Sequence, residues 1–245
     1  MRNAFFDKII EVNSYDVIYI GGIERIFQEV TGNSLPENYA VSAPFDIFTD
    51  SSGFFSESEI KCILKFRTMK KQAEWISGRY LIKNALILKH PDKKFSAIEV
   101  SYHDEGAPFL KLFPEYSISV SHSGRYTALM LCTEKRNTAA VDMEEIVLKN
   151  TGNIMKIAFT ENEIEQMNKN INMNPVLELT EGLNKFYEVW TGKEAYLKYI
   201  GRGFHEPLKN IEIINNQILY KGIRQKLSLV SVIFDNHFIS YIKSD

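Results

Sequence analysis

Between residues 181 and 200 one face of the chain repeats at helical spacing, and that face contains a carboxylate. Leu183, Tyr187, Trp190, Glu194 and Leu197 recur three or four residues apart, so they align along one side of a helix. A carboxylate in such a stripe is carried into the interior with its neighbours, where an unanswered charge costs roughly several kcal/mol. Glu194 therefore needs a cation. Lys198, one turn on and in the favourable Glu-before-Lys order, supplies one by a salt bridge. A bound metal ion is the other solution, and it leaves Lys193 or Lys198 to meet an anion.

The rest of the chain can build the core this requires. Its 245 residues are 44% hydrophobic and 24% charged, which excludes a disordered chain and suits one large domain or two small ones. The net charge is -2, with Lys and Arg spread along the chain, so no basic stripe points to nucleic acid. Cys62 and Cys132 form no C-x-x-C pattern, which argues against a disulfide framework or a cysteine zinc site and points to a reducing cytoplasm. Asp7 and Lys8 interrupt the first apolar run too early for a signal peptide, and no stretch is long enough to cross a membrane. A soluble, cytoplasmic chain is expected.

Residues 1–50 read as short strands or helices, broken by Gly21–Gly22, Pro36 and Pro44. Ser56-Glu57-Ser58-Glu59 opens a helix, and a second is predicted from Lys70 onward. Ser117 to Ser121 alternates and Tyr126 to Leu131 is apolar, which predicts two strands about a turn. A boundary near Arg136 divides the chain into halves, 1–136 and 137–245. The second half opens with a strand over 138–143, then a helix started by the capping box Thr160-x-x-Glu163, then the striped helix. It closes with strands Ile211–Ile214, Ile218–Tyr220, Leu227–Ile233 and Phe238–Ile242, separated by Asn215-Asn216, Lys221-Gly222 and Asp235-Asn236. No residue-level repeat relates the halves.

Asp142 and Glu144 stand two apart at a strand end, so both point to one side. Two hard oxygen donors on one face suit Mg²⁺, and a solvated strand end is the plain alternative. Ser119-Val120-Ser121-His122-Ser123-Gly124 places hydroxyls and an imidazole at a strand-to-turn junction, a cradle for phosphate or merely a polar hairpin. Lys71 and Arg79, eight residues apart, line one edge of a helix as an anion surface or a solvated basic face, with Lys70 beside them.

In this order the motifs resemble those of the Sfp-type 4'-phosphopantetheinyl transferases. They are Lys70-Lys71-Gln72-Ala73-Glu74-Trp75 leading to Gly78-Arg79, the Ser119–Ser123 segment, Val141-Asp142-Met143-Glu144, and Trp190-Thr191-Gly192-Lys193-Glu194-Ala195-Tyr196-Leu197-Lys198 followed by Gly201-Arg202-Gly203. The resemblance covers roughly residues 56–205 and implies two similar α+β halves forming a pseudo-dimer, with coenzyme A held in the cleft between them. It implies that Asp142, Glu144 and Glu194 hold Mg²⁺, or Mn²⁺, against the coenzyme A pyrophosphate, which Lys198 also contacts. Ser121 and His122 would then meet the nucleotide end near its 3'-phosphate, with Arg79 and Lys71 adding positive charge. One departure is Gly106-Ala107-Pro108, where many relatives carry a lysine at the middle position; the resemblance then implies either that Lys111 or the Lys70–Lys71 pair compensates or that the hold on coenzyme A and its 3'-phosphate is weaker.

The implied reaction is attack by a carrier-protein serine on the β-phosphate of coenzyme A, releasing 3',5'-ADP. Glu194 is the candidate base, directly or through water, and Lys198 the candidate point charge. The implied partner is an acyl or peptidyl carrier protein of secondary metabolism, served by a monomer that engages neither nucleic acid nor membrane. Two other readings use the same residues: a metal-dependent pyrophosphohydrolase acting on coenzyme A or nucleotides, and a carrier-binding module without catalysis.

Overall fold

In the computed structural model, which describes residues 6–45, 53–134, 137–148, 151–169 and 175–244, the chain is mixed α/β and divides into two units. One comprises Met1–His103 with Pro108–Asn137, the other Asp104–Ala107 with Thr138–Asp245. Arg136, where sequence analysis sets the boundary, lies outside the described residues.

The first unit contains β1 (Lys8–Glu11), β2 (Asp16–Gly22), α1 (Ile23–Thr31), α2 (Glu57–Ile63), α3 (Met69–Lys89), β3 (Val100–Tyr102), β4 (Pro108–Leu110), β5 (Ser117–Ser123) and β6 (Tyr126–Cys132). Four strands pair antiparallel in the order β1-β2-β6-β5, and β3 and β4 form a separate hairpin. Ser56 caps α2 as predicted: its hydroxyl accepts from the Glu59 N–H while the Glu59 carboxylate accepts from the Ser56 N–H. The helix predicted from Lys70 is α3, and it is buried nearly all round from Gln72 to Leu86. Ile26, Phe27 and Val30 of α1 join its core.

The second unit contains β7 (Val141–Glu145), α4 (Thr151–Ala158), α5 (Glu161–Lys169), α6 (Pro175–Tyr199), β8 (Ile211–Ile214), β9 (Gln217–Tyr220), β10 (Ile223–Arg224), β11 (Leu227–Phe234) and β12 (His237–Ser244). These strands form two three-stranded antiparallel sheets, β11-β12-β7 and β10-β9-β8. The predicted turn pairs close the hairpins. Asn215 and Asn216 (φ 50° and 61°), Lys221 and Gly222 (51° and 77°), and Asp235 and Asn236 (40° and 60°) all take left-handed backbone, as two-residue turns matched to strand twist require. Helix α6 is the striped helix, but over Thr191–Leu197 it is buried on every side rather than along one stripe. Gly192 permits this, since a Cβ there would stand 2.9 Å from Leu229 Cδ2. Among the described residues no helix is long and apolar enough to cross a membrane.

A helix buried all round must answer its polar side chains internally. The two units do so alike. In the first, Lys83 Nζ meets the Glu59 carboxylate, donates to the Phe54 carbonyl at 2.6 Å and lies 5.3 Å above the Phe55 ring. In the second, Lys193 Nζ lies 2.7 Å from Glu163, donates to the Ala158 carbonyl at 2.7 Å and stands 5.5 Å above Phe159. Both carboxylates belong to capping boxes, and the predicted Thr160–Glu163 box is formed by bonds of 2.8 and 3.3 Å. A hydroxyl pair ties each helix to its sheet, Ser77 to Thr127 and Thr191 to Ser240, both at 2.6 Å. The segments Phe55-Ser56-Glu57-Ser58-Glu59 and Phe159-Thr160-Glu161-Asn162-Glu163 thus play one role in each unit.

The Lys193–Glu163 pair is wholly buried, with both side chains 0% exposed. Burial pushes the Glu163 carboxyl up and the Lys193 ammonium down, against their mutual attraction. Glu163 also accepts from the Ile213 N–H at 2.7 Å, so one node joins α5, α6, β8 and the end of α4. Replacing Glu163 with Leu leaves an uncompensated ammonium and should cost about 3–5 kcal/mol, whereas adding Lys193→Met should restore much of it. Urea denaturation of the single and double variants measures both, and a single-variant loss below about 1 kcal/mol would show that the node is not an anchor.

Candidate functional site

Strand β7 and helix α6 carry matched ladders. Residues two apart on a strand are separated by about 6.6 Å and residues four apart on a helix by about 6 Å. Asp142 and Glu144 on one face of β7 can therefore keep step with Lys198, Glu194 and Trp190 on α6. Lys198 Nζ lies 2.8 Å from Asp142 Oδ1 and donates to the Val141 carbonyl at 2.9 Å. Trp190 Nε1 approaches Glu144 Oε1 at 3.5 Å. Glu194 stands between these two rungs. Register holds the strand: Asp142 is opposite Ser240 and Glu144 opposite Phe238 on β12.

Glu194 is 8% exposed, and its buried Oε1 has no hydrogen-bond partner among the described residues. Burial pushes its carboxyl up to about 8, the negative charges of Asp142 and Glu144 push the same way, and the Lys198 ammonium opposes them. Sequence analysis brings Asp142, Glu144, Glu194 and Lys198 to one site, and they converge here within the second unit. It also leaves Lys193 available to an anion, and the structure corrects this: the Lys193 ammonium is consumed by Glu163, Ala158 O and Leu208 O.

Among the described residues no group of three His, Cys, Asp or Glu side chains is arranged to hold a metal ion as it stands. The donor chemistry nevertheless fits a hard divalent cation. Three carboxylates share one region, and a buried, unbonded carboxylate oxygen among like charges is the group a cation would relieve.

The residues predicted for the nucleotide lie in the first unit and fall into two sets. Arg79 is 5% exposed, which corrects the reading of a solvated basic face. Its guanidinium stacks on Trp75 at 4.4 Å, donates to the Tyr102 hydroxyl at 2.7 Å and lies 3.6 Å from Glu59. Lys70, Lys71 and His122 instead surround Glu74, at 3.8, 2.8 and 3.7 Å. Ser121, the preceding residue on β5, is 7% exposed. Sequence analysis assigned Glu74 no role; its spacing of three and four from the two lysines was the available signal. At Gly106-Ala107-Pro108 the turn survives, with Gly106 at φ 87°.

The Glu194 carboxyl has its folded pKa raised above its unfolded value, so it favours folding below about pH 4.5, and that contribution fades as pH rises toward 8. Without added divalent cation, the thermal midpoint should fall over this window more steeply for the native protein than for Glu194→Gln. Identical pH profiles would remove Glu194 from the list of charge-burdened groups.

Comparison with known proteins points to the same region. Residues 139–237 match the family described as the 4'-phosphopantetheinyl transferase superfamily. The 4'-phosphopantetheinyl transferase gsp of Aneurinibacillus migulanus is 26% identical over 183 residues, covering 71% of this chain and 69% of that protein. A 4'-phosphopantetheinyl transferase of Bacillus subtilis is 24% identical over 118 residues, 48% of each chain.

Proposed function

From the match of residues 139–237 to the 4'-phosphopantetheinyl transferase superfamily, we propose that this protein transfers 4'-phosphopantetheine from coenzyme A to a serine of an acyl or peptidyl carrier protein. The observation that carries the proposal is the strand–helix ladder. Asp142, Glu144, Glu194 and Lys198 converge in the second unit, inside the matched segment.

The serine oxygen bonds to the β-phosphorus of coenzyme A, the bond to the bridging oxygen breaks, and 3',5'-ADP leaves. The serine proton needs an acceptor, and Glu194 is the candidate, directly or through water, in the ionised form that a bound cation and the Lys198 ammonium would favour. Asp142, Glu144 and Glu194 would hold Mg²⁺ or Mn²⁺, which supplies charge neutralisation on the pyrophosphate when bound. Lys198, already spanning Asp142 and the Val141 carbonyl, adds a point charge for the developing negative charge. Ser121, His122 and Lys71 would meet the nucleotide end, and Arg79 would steady that surface through Trp75 and Tyr102. The same reading, on the family resemblance, takes a carrier of secondary metabolism as the acceptor and a cytoplasmic monomer as the working form. The parallel buried nodes of the two units support a duplicated, pseudo-dimeric α+β architecture.

Intact-mass spectrometry of an apo carrier protein incubated with this protein, coenzyme A and Mg²⁺ tests the proposal. One phosphopantetheine should be gained, and the gain should vanish with chelator. Asp142→Ala and Glu194→Gln should lower the rate by at least about 100-fold while leaving the protein folded. Consumption of coenzyme A without carrier modification would instead identify a hydrolase.

A further inference from the structure

Glu74 is an acid at the centre of the basic surface of the first unit. Its side chain is 6% exposed, whereas those of Lys70, Lys71 and His122 are 46%, 60% and 36% exposed. Its Oε2 lies 2.8 Å from Lys71 Nζ and 3.7 Å from His122 Nδ1, and its Oε1 lies 3.8 Å from Lys70 Nζ. The two ammonium groups and the imidazole thus face solvent while the carboxylate sits beneath them. Trp75 and Ser77 follow it on the same helix, which is buried nearly all round from Gln72 to Leu86.

We infer that Glu74 is a built-in counter-anion that holds down the grip of Lys70, Lys71 and His122 on the nucleotide end of coenzyme A and of 3',5'-ADP. This rests on the transferase reading of the site. An incoming phosphate approaches from the solvent side and shares Lys70 and Lys71 with one fixed negative charge. Each added anionic charge is attracted by the ammonium groups and repelled by the carboxylate behind them. The repulsion has a use. Coenzyme A and 3',5'-ADP carry the same nucleotide, so contacts to it bind substrate and product equally and do nothing for the chemical step. A tighter grip would only slow release of 3',5'-ADP. Glu74 sets this balance without touching the reacting atoms, and so acts as a positioning and affinity-setting residue.

Calorimetric titration of 3',5'-ADP into the full chain tests the inference, with melting curves to confirm folding. Glu74→Gln should bind about fivefold or more tightly than the native protein at low ionic strength, and the difference should shrink with added salt. In steady state the same variant should show a lower KM for coenzyme A together with a lower kcat, a split that mere loss of stability would not produce. If Glu74→Gln fails to fold, the double variant Lys71→Met/Glu74→Gln removes the closest pair together. It should bind 3',5'-ADP about fivefold or more tightly than Lys71→Met alone, because the double variant lacks the repulsion of the carboxylate. Equal or weaker binding by Glu74→Gln than by the native protein, or by the double variant than by Lys71→Met, overturns the counter-anion while leaving the transferase reading in place. If the native protein does not bind 3',5'-ADP at all, the nucleotide assignment fails and the inference falls with it.

Discussion

The second unit depends on one buried ion pair. Lys193 and Glu163 are both wholly enclosed, and between them they engage two backbone carbonyls and two backbone N–H groups. A helix surrounded on all sides cannot send a lysine to water, so Lys193 is satisfied only where α5, β8 and the end of α4 present their partners together. That requirement fixes the rotation of α6 about its axis. The next residue along is Glu194, whose position beside β7 is inherited from the node.

Charge is then distributed unevenly between the units. In the first unit, Glu59 is met by Lys83 and Arg79, and Glu74 by two lysines and a histidine. In the second, Glu194 instead faces Asp142 and Glu144, with Lys198 as the opposing charge. The sheets show the same asymmetry. Asp142 lies opposite Ser240, the hydroxyl partner of Thr191, while Gly21 lies opposite Thr127, the hydroxyl partner of Ser77. Where one unit places a carboxylate, the other has a residue with no side chain. Strained electrostatics of this kind mark functional sites, since a group held away from its ordinary pKa is poised to bind a cation or move a proton.

Much of this was legible in the sequence where the determining interactions are local. The capping boxes at Ser56 and Thr160 and the turn pairs of the C-terminal hairpins rest on contacts within a few residues, and each forms as expected. The spacing of Asp142 to Glu144 and of Glu194 to Lys198 placed the acids and the lysine on usable faces for the same reason. Other features were illegible because their partners are remote. Helix α4 went unread although Ile154, Met155 and Ala158 recur at helical spacing and pack in the core, because Ile157, 75% exposed, adds an apolar residue off that face. Lys193 looked like an available cation because Glu163 lies thirty residues back in the sequence, at a distance spacing rules do not reach.

Sequence alone determined the α+β class, the two capped helix starts, the tail of hairpins, and which carboxylates and lysines could carry chemistry, because these follow from backbone periodicity and near-neighbour hydrogen bonds. Tertiary structure decided which of those charges are answered. Lys193 was taken into the core by Glu163, Arg79 was stacked between Trp75 and Tyr102, Glu74 was set beneath two lysines and a histidine, and Glu194 was left among acids. The reason is physical: the worth of a charge depends on what surrounds it after water is excluded, and only packing brings those surroundings together.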